Sequence, residues 1–170
     1  MRKVALFIDT GNLYHQTYRK YKKKVSYQKM LDFLKPIGDI QFLKAYGSIN
    51  IDTVKKFMLQ LKTLGFNLLF KEPERRAMHG ITYNVTDTSI DLVVDVLSVE
   101  YDTIILGTGD KKFVPLVNKL IDTGHTVAII GCNIQKELRK AATMTMEIPE
   151  SLLENRDKDN GTKNNEQEDR

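Results

Sequence analysis

One cysteine, Cys132, in 170 residues leaves no pair for a disulfide framework and no cluster for a zinc finger. Long apolar runs are missing as well, and none reaches the ~18 residues a membrane-spanning helix needs. The opening Met-Arg-Lys-Val-Ala-Leu-Phe-Ile lacks a signal-peptide core, because Asp9 interrupts it at once. No internal repeat is present. These absences predict a cytoplasmic domain in a reducing compartment. What remains is ordinary: 41% hydrophobic and 28% charged residues, enough for one domain with a sizeable core and too few for two.

Charge is unevenly spread. Net charge is +4, but residues 150–170 hold seven acids and four bases, so the preceding 149 carry +7. A basic body of this size suits polyanion partners, nucleic acid first, although many basic proteins have none. After Leu153 no apolar residue follows. Such a stretch cannot offset the entropy of ordering, which predicts a domain over 1–149 and a disordered charged tail over 150–170.

The body alternates β-branched runs (4–8, 40–46, 66–70, 103–106 and 126–130) with helical patterns (13–21, 27–34, 54–64, 90–99, 113–121 and 134–142). Several strands are apolar on both faces, as a central parallel sheet under helices requires. Gly65 and Gly124 sit where helices should end. The order predicts a single doubly wound α/β domain with a mostly parallel central sheet. Residues 71–88 fit neither period and read as a long polar loop. Met144-Thr145-Met146 reads as a short edge strand.

In such sheets function lies beyond the carboxyl ends of the strands. Two of those ends carry acids, Asp9 in Phe-Ile-Asp-Thr-Gly-Asn and Asp110 in Leu-Gly-Thr-Gly-Asp. Either one alone is commonly a helix cap or loop residue. A third element, Ile90-Asp-Leu-Val-Val-Asp-Val-Leu-Ser-Val99, has almost no polar face and should be largely buried. Asp91 and Asp95 stand four residues apart on one side of it, where like charges repel by about 0.2–0.5 kcal/mol. Burial worsens that cost unless a cation or a basic side chain compensates. The four acids would converge at one sheet mouth. Oxygen donors without His or Cys suit Mg²⁺ or Mn²⁺, which can activate water at a phosphate; a lysine or arginine bridge to Asp95 is the alternative.

These stretches resemble the NYN domain, a branch of the PIN-like ribonuclease fold. The likeness rests on Ala5-Leu-Phe-Ile-Asp-Thr-Gly-Asn-Leu13, Tyr46-Gly-Ser48, Ile90-Asp-Leu-Val-Val-Asp-Val-Leu97 and the segment 101–131 with Thr108-Gly-Asp-Lys-Lys-Phe-Val-Pro-Leu116. In order and spacing it covers residues 3–147. The resemblance implies a metal-dependent ribonuclease with Asp9, Asp95 and Asp110 as catalytic metal ligands and Asp91 as a fourth. It also implies that Asn12 orients substrate or a metal-bound water, and that Thr108 lies at the substrate. Two positions depart from the family pattern. Lys112 stands where Ser-Gly-Asp-x-Asp-Phe has its second acid, and Ser89 stands where many members have another. The Lys112 ammonium would replace part of a metal's charge or keep a second metal out. One metal is then the most the pattern carries, and an RNA-binding or regulatory module without catalysis is the alternative.

Other motifs are weaker. Asp9-Thr10-Gly11 is the tripeptide of aspartic proteases, but those are all-β and here a helical pattern follows. Gly107-Thr108-Gly109 is not followed by the Gly-Lys-Ser/Thr of a triphosphate loop. Arg19, Lys20, Lys22, Lys23 and Lys24, interleaved with tyrosines, read as a phosphate-tracking patch for single-stranded RNA or as a solvated helix end. Arg75 and Arg76, in the unpatterned loop, could reach a substrate across the mouth. A homo-oligomer is compatible with all of this.

Overall fold

The computed structural model describes residues 1–49, 53–85 and 87–156. Strands β1 (Lys3–Asp9), β3 (Asp39–Ser48), β4 (Asn67–Lys71), β7 (Thr103–Gly107), β8 (Thr126–Gly131) and β9 (Met144–Glu147) form one sheet in the order β4-β3-β1-β7-β8-β9. Every neighbouring pair in it is parallel. Helices α1 (Thr10–Tyr21), α2 (Tyr27–Leu34), α3 (Thr53–Thr63), α4 (Ser89–Ser98), α5 (Val114–Asp122) and α6 (Lys136–Ala141) supply the crossovers.

Strand alternation sorts the core. Val4, Leu6 and Ile8 of β1 face Leu13 of α1, Met30 and Leu34 of α2, and Leu61 of α3. Ala5 and Phe7 face the other layer, with Leu92 and Val96 of α4, Leu116, Val117 and Leu120 of α5, and Leu138 of α6. From β1 the chain steps outward through β3 to β4; from β7 it steps the opposite way through β8 to β9. The strand order therefore switches between β1 and β7, and a crevice opens beyond their carboxyl ends. At its floor, Gly131 lets the backbones of two loops approach: a Cβ there would lie 2.7 Å from the Thr108 carbonyl oxygen.

Three expectations change. Residues 71–88 are not an irregular loop. β5 (Glu74–Met78) and β6 (Ile81–Val85) pair as an antiparallel hairpin with Met78 opposite Ile81. The turn is His79-Gly80, and both residues have positive φ, +52° and +75°, as a type I′ turn requires. All of β5 is exposed, so it carries no buried-face alternation to betray it.

The helix over 90–99 is not largely buried. Leu92 and Val96 pack inward, but Ile90, Val94 and Leu97 are 73%, 59% and 53% exposed. A helix laid on one sheet face buries one stripe only, whatever its overall hydrophobicity.

The ordered chain also passes residue 149. A turn at Glu150–Leu152 leads to β10 (Leu153–Glu154), which pairs antiparallel with β2 (Lys24–Val25). Leu152 and Leu153 are buried in the core. The rest of the expected tail, 157–170, lies outside the described residues. Among the described residues no helix is long and apolar enough to cross a membrane.

Candidate functional site

Asp9 ends β1 and caps α1: its Oδ1 accepts the Asn12 backbone N–H at 3.2 Å. Burial pushes its carboxyl above the usual range, with Asp110 and Asp87 adding repulsion. The Asn12 hydrogen bond and the Lys112 charge act the other way without cancelling the rise. Across the switch point, Asp110 caps the short 3₁₀ turn Lys111–Phe113, its Oδ1 accepting the Lys112 N–H at 2.9 Å. Its Oδ2 lies 3.7 Å from the Lys112 Nζ. Lys112 thus stands over the acid pair as counter-charge.

Asp87 was not anticipated. Its Oδ1 accepts from the Ser89 N–H and hydroxyl, which hold its carboxyl low despite some burial; the Lys112 and Arg76 charges help. Four residues before Asp91, it keeps that spacing but stands ahead of α4, outside the apolar helical stretch that singled out Asp91 and Asp95.

Those two acids are closed by lysines. Asp91 pairs with Lys71, at the end of β4, at 2.5 Å. Asp95 pairs with Lys44 of β3 at 2.6 Å and accepts the Tyr46 hydroxyl at 2.6 Å. Partial burial would raise the Asp95 carboxyl, but the bonds from Lys44 and Tyr46 outweigh it and hold the carboxyl low. Burial and the bonded Asp95 push the Tyr46 phenol far above its ordinary value. Lys44 and Tyr46, two apart on β3, share the face that α4 covers. The i, i+4 acid pair on α4 thus meets one lysine from each of two adjacent strands. A lysine on the inner face of a strand was the available signal.

The expected convergence of all four acids on one metal does not follow from this arrangement. Among the described residues no three Asp, Glu, His or Cys side chains form a group able to hold a metal ion. The donor chemistry gives the reason: Asp91, Asp95 and Asp110 each face an ammonium. As paired here, the four acids do not gather into one carboxylate centre for Mg²⁺ or Mn²⁺.

Beside Asp110 a polar cleft of about 450 Å³ runs between α1 and the loops after β7 and β8. Asn12, Gln16, Arg19, Gly109, Asp110, Lys111, Asn133 and Gln135 line it. The Asn12 Oδ1 accepts the Gly109 N–H at 2.8 Å, stapling the start of α1 to the β7 loop. Gln135 accepts the Lys111 N–H at 2.7 Å, and Asn133 donates to Gln16 at 3.2 Å. No motif marked Gln16, Asn133 or Gln135, and Lys111 stood only at the variable position of the Ser-Gly-Asp-x-Asp-Phe pattern. Thr108 is buried, and its hydroxyl accepts the Asp110 N–H at 3.3 Å, so it shapes the loop that carries Asp110.

The basic stretch divides. Arg19 lines the cleft; Lys20 and Lys22 lie over the Tyr21 and Tyr18 rings; Lys23 and Lys24 pair with Glu150 and Glu154. Arg75 and Arg76 stand exposed on β5, with Arg76 bonded to Glu74.

The sequence profile of the NYN domain matches residues 3–149. The chain belongs to the NYN domain family. That fold recurs in a crystal structure of a protein of unknown function from Vibrio parahaemolyticus. The two chains are 21% identical and superpose with a TM-score of 0.78 over 89% of this chain and 96% of that one. No curated protein matches. Within this chain, Asp9 ends β1, Asp110 lies just beyond β7, Asp91 and Asp95 lie on α4, and a lysine faces three of the four.

Proposed function

We propose that this NYN domain binds single-stranded RNA across the mouth between β1 and β7 as a module whose acids are held by its own lysines. The carrying observation is that trio of ion pairs, Asp91–Lys71, Asp95–Lys44 and Asp110–Lys112. An ammonium within 4 Å takes the place a cation would need and relieves like-charge repulsion without one. Arg19 and Lys111 supply positive charge to the cleft, and the amides of Asn12, Gln16, Asn133 and Gln135 offer donors and acceptors to sugar, phosphate and base edges. A cytoplasmic setting suits the buried thiol of Cys132.

A second reading has its own observation. Asp110 and Asp87 both repel Asp9, and Lys112 is the counter-charge near all three, which leaves excess negative charge at the mouth. That favours metal-dependent hydrolysis of RNA phosphodiesters, with Mg²⁺ or Mn²⁺ and with Asp9, Asp95 and Asp110 in the catalytic roles the family suggests.

Fluorescence anisotropy and gel electrophoresis with labelled single-stranded RNA decide between them. The expected result is binding of equal strength in EDTA and in Mn²⁺, with the RNA intact. Mn²⁺-dependent cleavage that disappears in both Asp9→Asn and Asp110→Asn would overturn the binding-module reading in favour of the nuclease.

A further inference from the structure

The outer surface of α1 carries an aromatic feature that the cleft does not use. Tyr14 and Tyr18, one helical turn apart, are each 39% exposed. Their rings lie parallel within 4°, with centroids 6.2 Å apart. Arg156, just beyond β10, covers both: its guanidinium carbon lies 5.3 Å from the Tyr14 centroid and 4.7 Å from that of Tyr18. The guanidinium also donates to the Tyr14 hydroxyl. Lys22 Nζ sits 4.7 Å over the Tyr18 ring.

We propose that Tyr14 and Tyr18 form a base-stacking subsite for single-stranded RNA, and that Arg156 occupies it in the free protein. The proposal rests on the RNA-binding reading above and adds where a base lies. Two parallel exposed rings offer π-faces that any nucleobase can stack on. A guanidinium is flat, delocalised and weakly hydrated, so it settles on the same faces and stands in for a base. Lys22 supplies a phosphate partner at the platform's edge.

The path from the cleft is short. At 3.6 residues per turn, positions 12, 16 and 19 form one stripe of α1 and positions 14 and 18 another, with His15 on the ridge between them. The first stripe lines the cleft. A strand leaving it past Arg19 crosses one helix, ~10 Å wide, to reach Tyr18. Residues 150–156 follow the far bank: Glu150 and Glu154 hold Lys23 and Lys24 while Arg156 lies on the rings. The same segment thus masks both the rings and two of the lysines that would accompany them.

Anisotropy against two labelled strands of about 12 nucleotides tests this, one an oligoadenylate and the other of the same length and charge with abasic sugars. Tyr14→Ala/Tyr18→Ala should bind the oligoadenylate about 5- to 150-fold more weakly, the range for one lost base stack. It should bind the abasic strand as the wild type does, with an unchanged salt slope, because no phosphate contact is removed. Tyr14→Phe/Tyr18→Phe, which keeps the rings, should retain wild-type affinity or exceed it. Arg156→Ala, measured at salt high enough to mute its charge, should bind the oligoadenylate more tightly. Wild-type affinity for oligoadenylate in the double alanine variant, or equal weakening toward both strands, overturns the subsite while leaving RNA binding in place. A loss in Arg156→Ala as large as in the double alanine variant also overturns it, because the guanidinium would then be the contact. If the wild type binds neither strand, the RNA-binding reading falls and the subsite with it.

Discussion

Asp9 and Asp95 are both carboxylates with some burial, yet ionisation acts on the fold with opposite sign at each. The Asp9 carboxyl is raised by burial, so its charged form costs stability once the pH passes through its folded value, and that cost is absent below the unfolded value. Asn caps a helix as well as Asp does. Asp9→Asn should therefore melt at or above the wild-type temperature at neutral pH, and the gap should close as the pH falls below the usual carboxylate range. Asp9→Ala, which loses the cap to the Asn12 N–H, should cost about 1 kcal/mol. Asp95 is the reverse case, its carboxyl held low by Lys44 and Tyr46 against the opposing pull of burial. Its contribution is present above the unfolded carboxylate value and is lost as the pH falls through the folded one. Asp95→Ala strands a lysine and a phenol that are mostly buried, at a cost of about 2 kcal/mol at neutral pH. Urea titrations of both variants from neutral to acid pH would show the two trends diverge. The sequence made the candidate acids legible through strand ends and an i, i+4 spacing. It did not show which of them Lys44, Lys71 and Lys112 would hold, because those lysines are remote in the chain or marked only as a missing acid.

At the scale of elements, periodicity succeeded wherever an element buries one face or both. Among the described residues, β1, β3, β7, β8 and all six helices hold buried residues while β4 and β9 are half-buried at their centres, and each was readable as an apolar run or a helical period. Strand β5 buries no such face, which is why 71–88 read as a loop. The hairpin's turn was the one local sign: Gly80, at φ +75°, occupies a conformation that costs a side chain roughly 1–2 kcal/mol. A Cβ at Gly80 would meet nothing within 4 Å, so Gly80→Ala isolates that backbone term. A two-stranded ribbon is marginal on its own. The substitution should abolish amide-exchange protection across Glu74–Met78 and leave the melting temperature of the main domain unchanged.

For the whole molecule, the decisive element is the segment that returns after β9. Leu152 and Leu153 are 6% and 5% exposed, and burying two leucines contributes roughly 3–6 kcal/mol. A chain ending at residue 149 should lose stability on that order in chemical denaturation, although its composition suggests that nothing structural follows. The same segment also governs charge. Lys23–Glu150 and Lys24–Glu154 are surface pairs, worth little to the fold. Glu150→Gln should leave the melting temperature unchanged while releasing Lys23 toward phosphate. The dependence of RNA affinity on salt should then steepen by about 0.7 for that one added contact.

The sequence by itself determined the class of fold, the chain order of the main-sheet strands and the helices, and the strand ends that carry Asp9 and Asp110, because these follow from local periodicity and from chain order. Only the tertiary structure decided which charges meet. Lys44 and Lys71 reach α4 because β3 and β4 lie side by side beneath it. Arg156 reaches α1 because two buried leucines draw the chain back beside β2. An ion pair or a cation on a ring depends on separation in space, and residues far apart in a chain carry no local pattern that announces it.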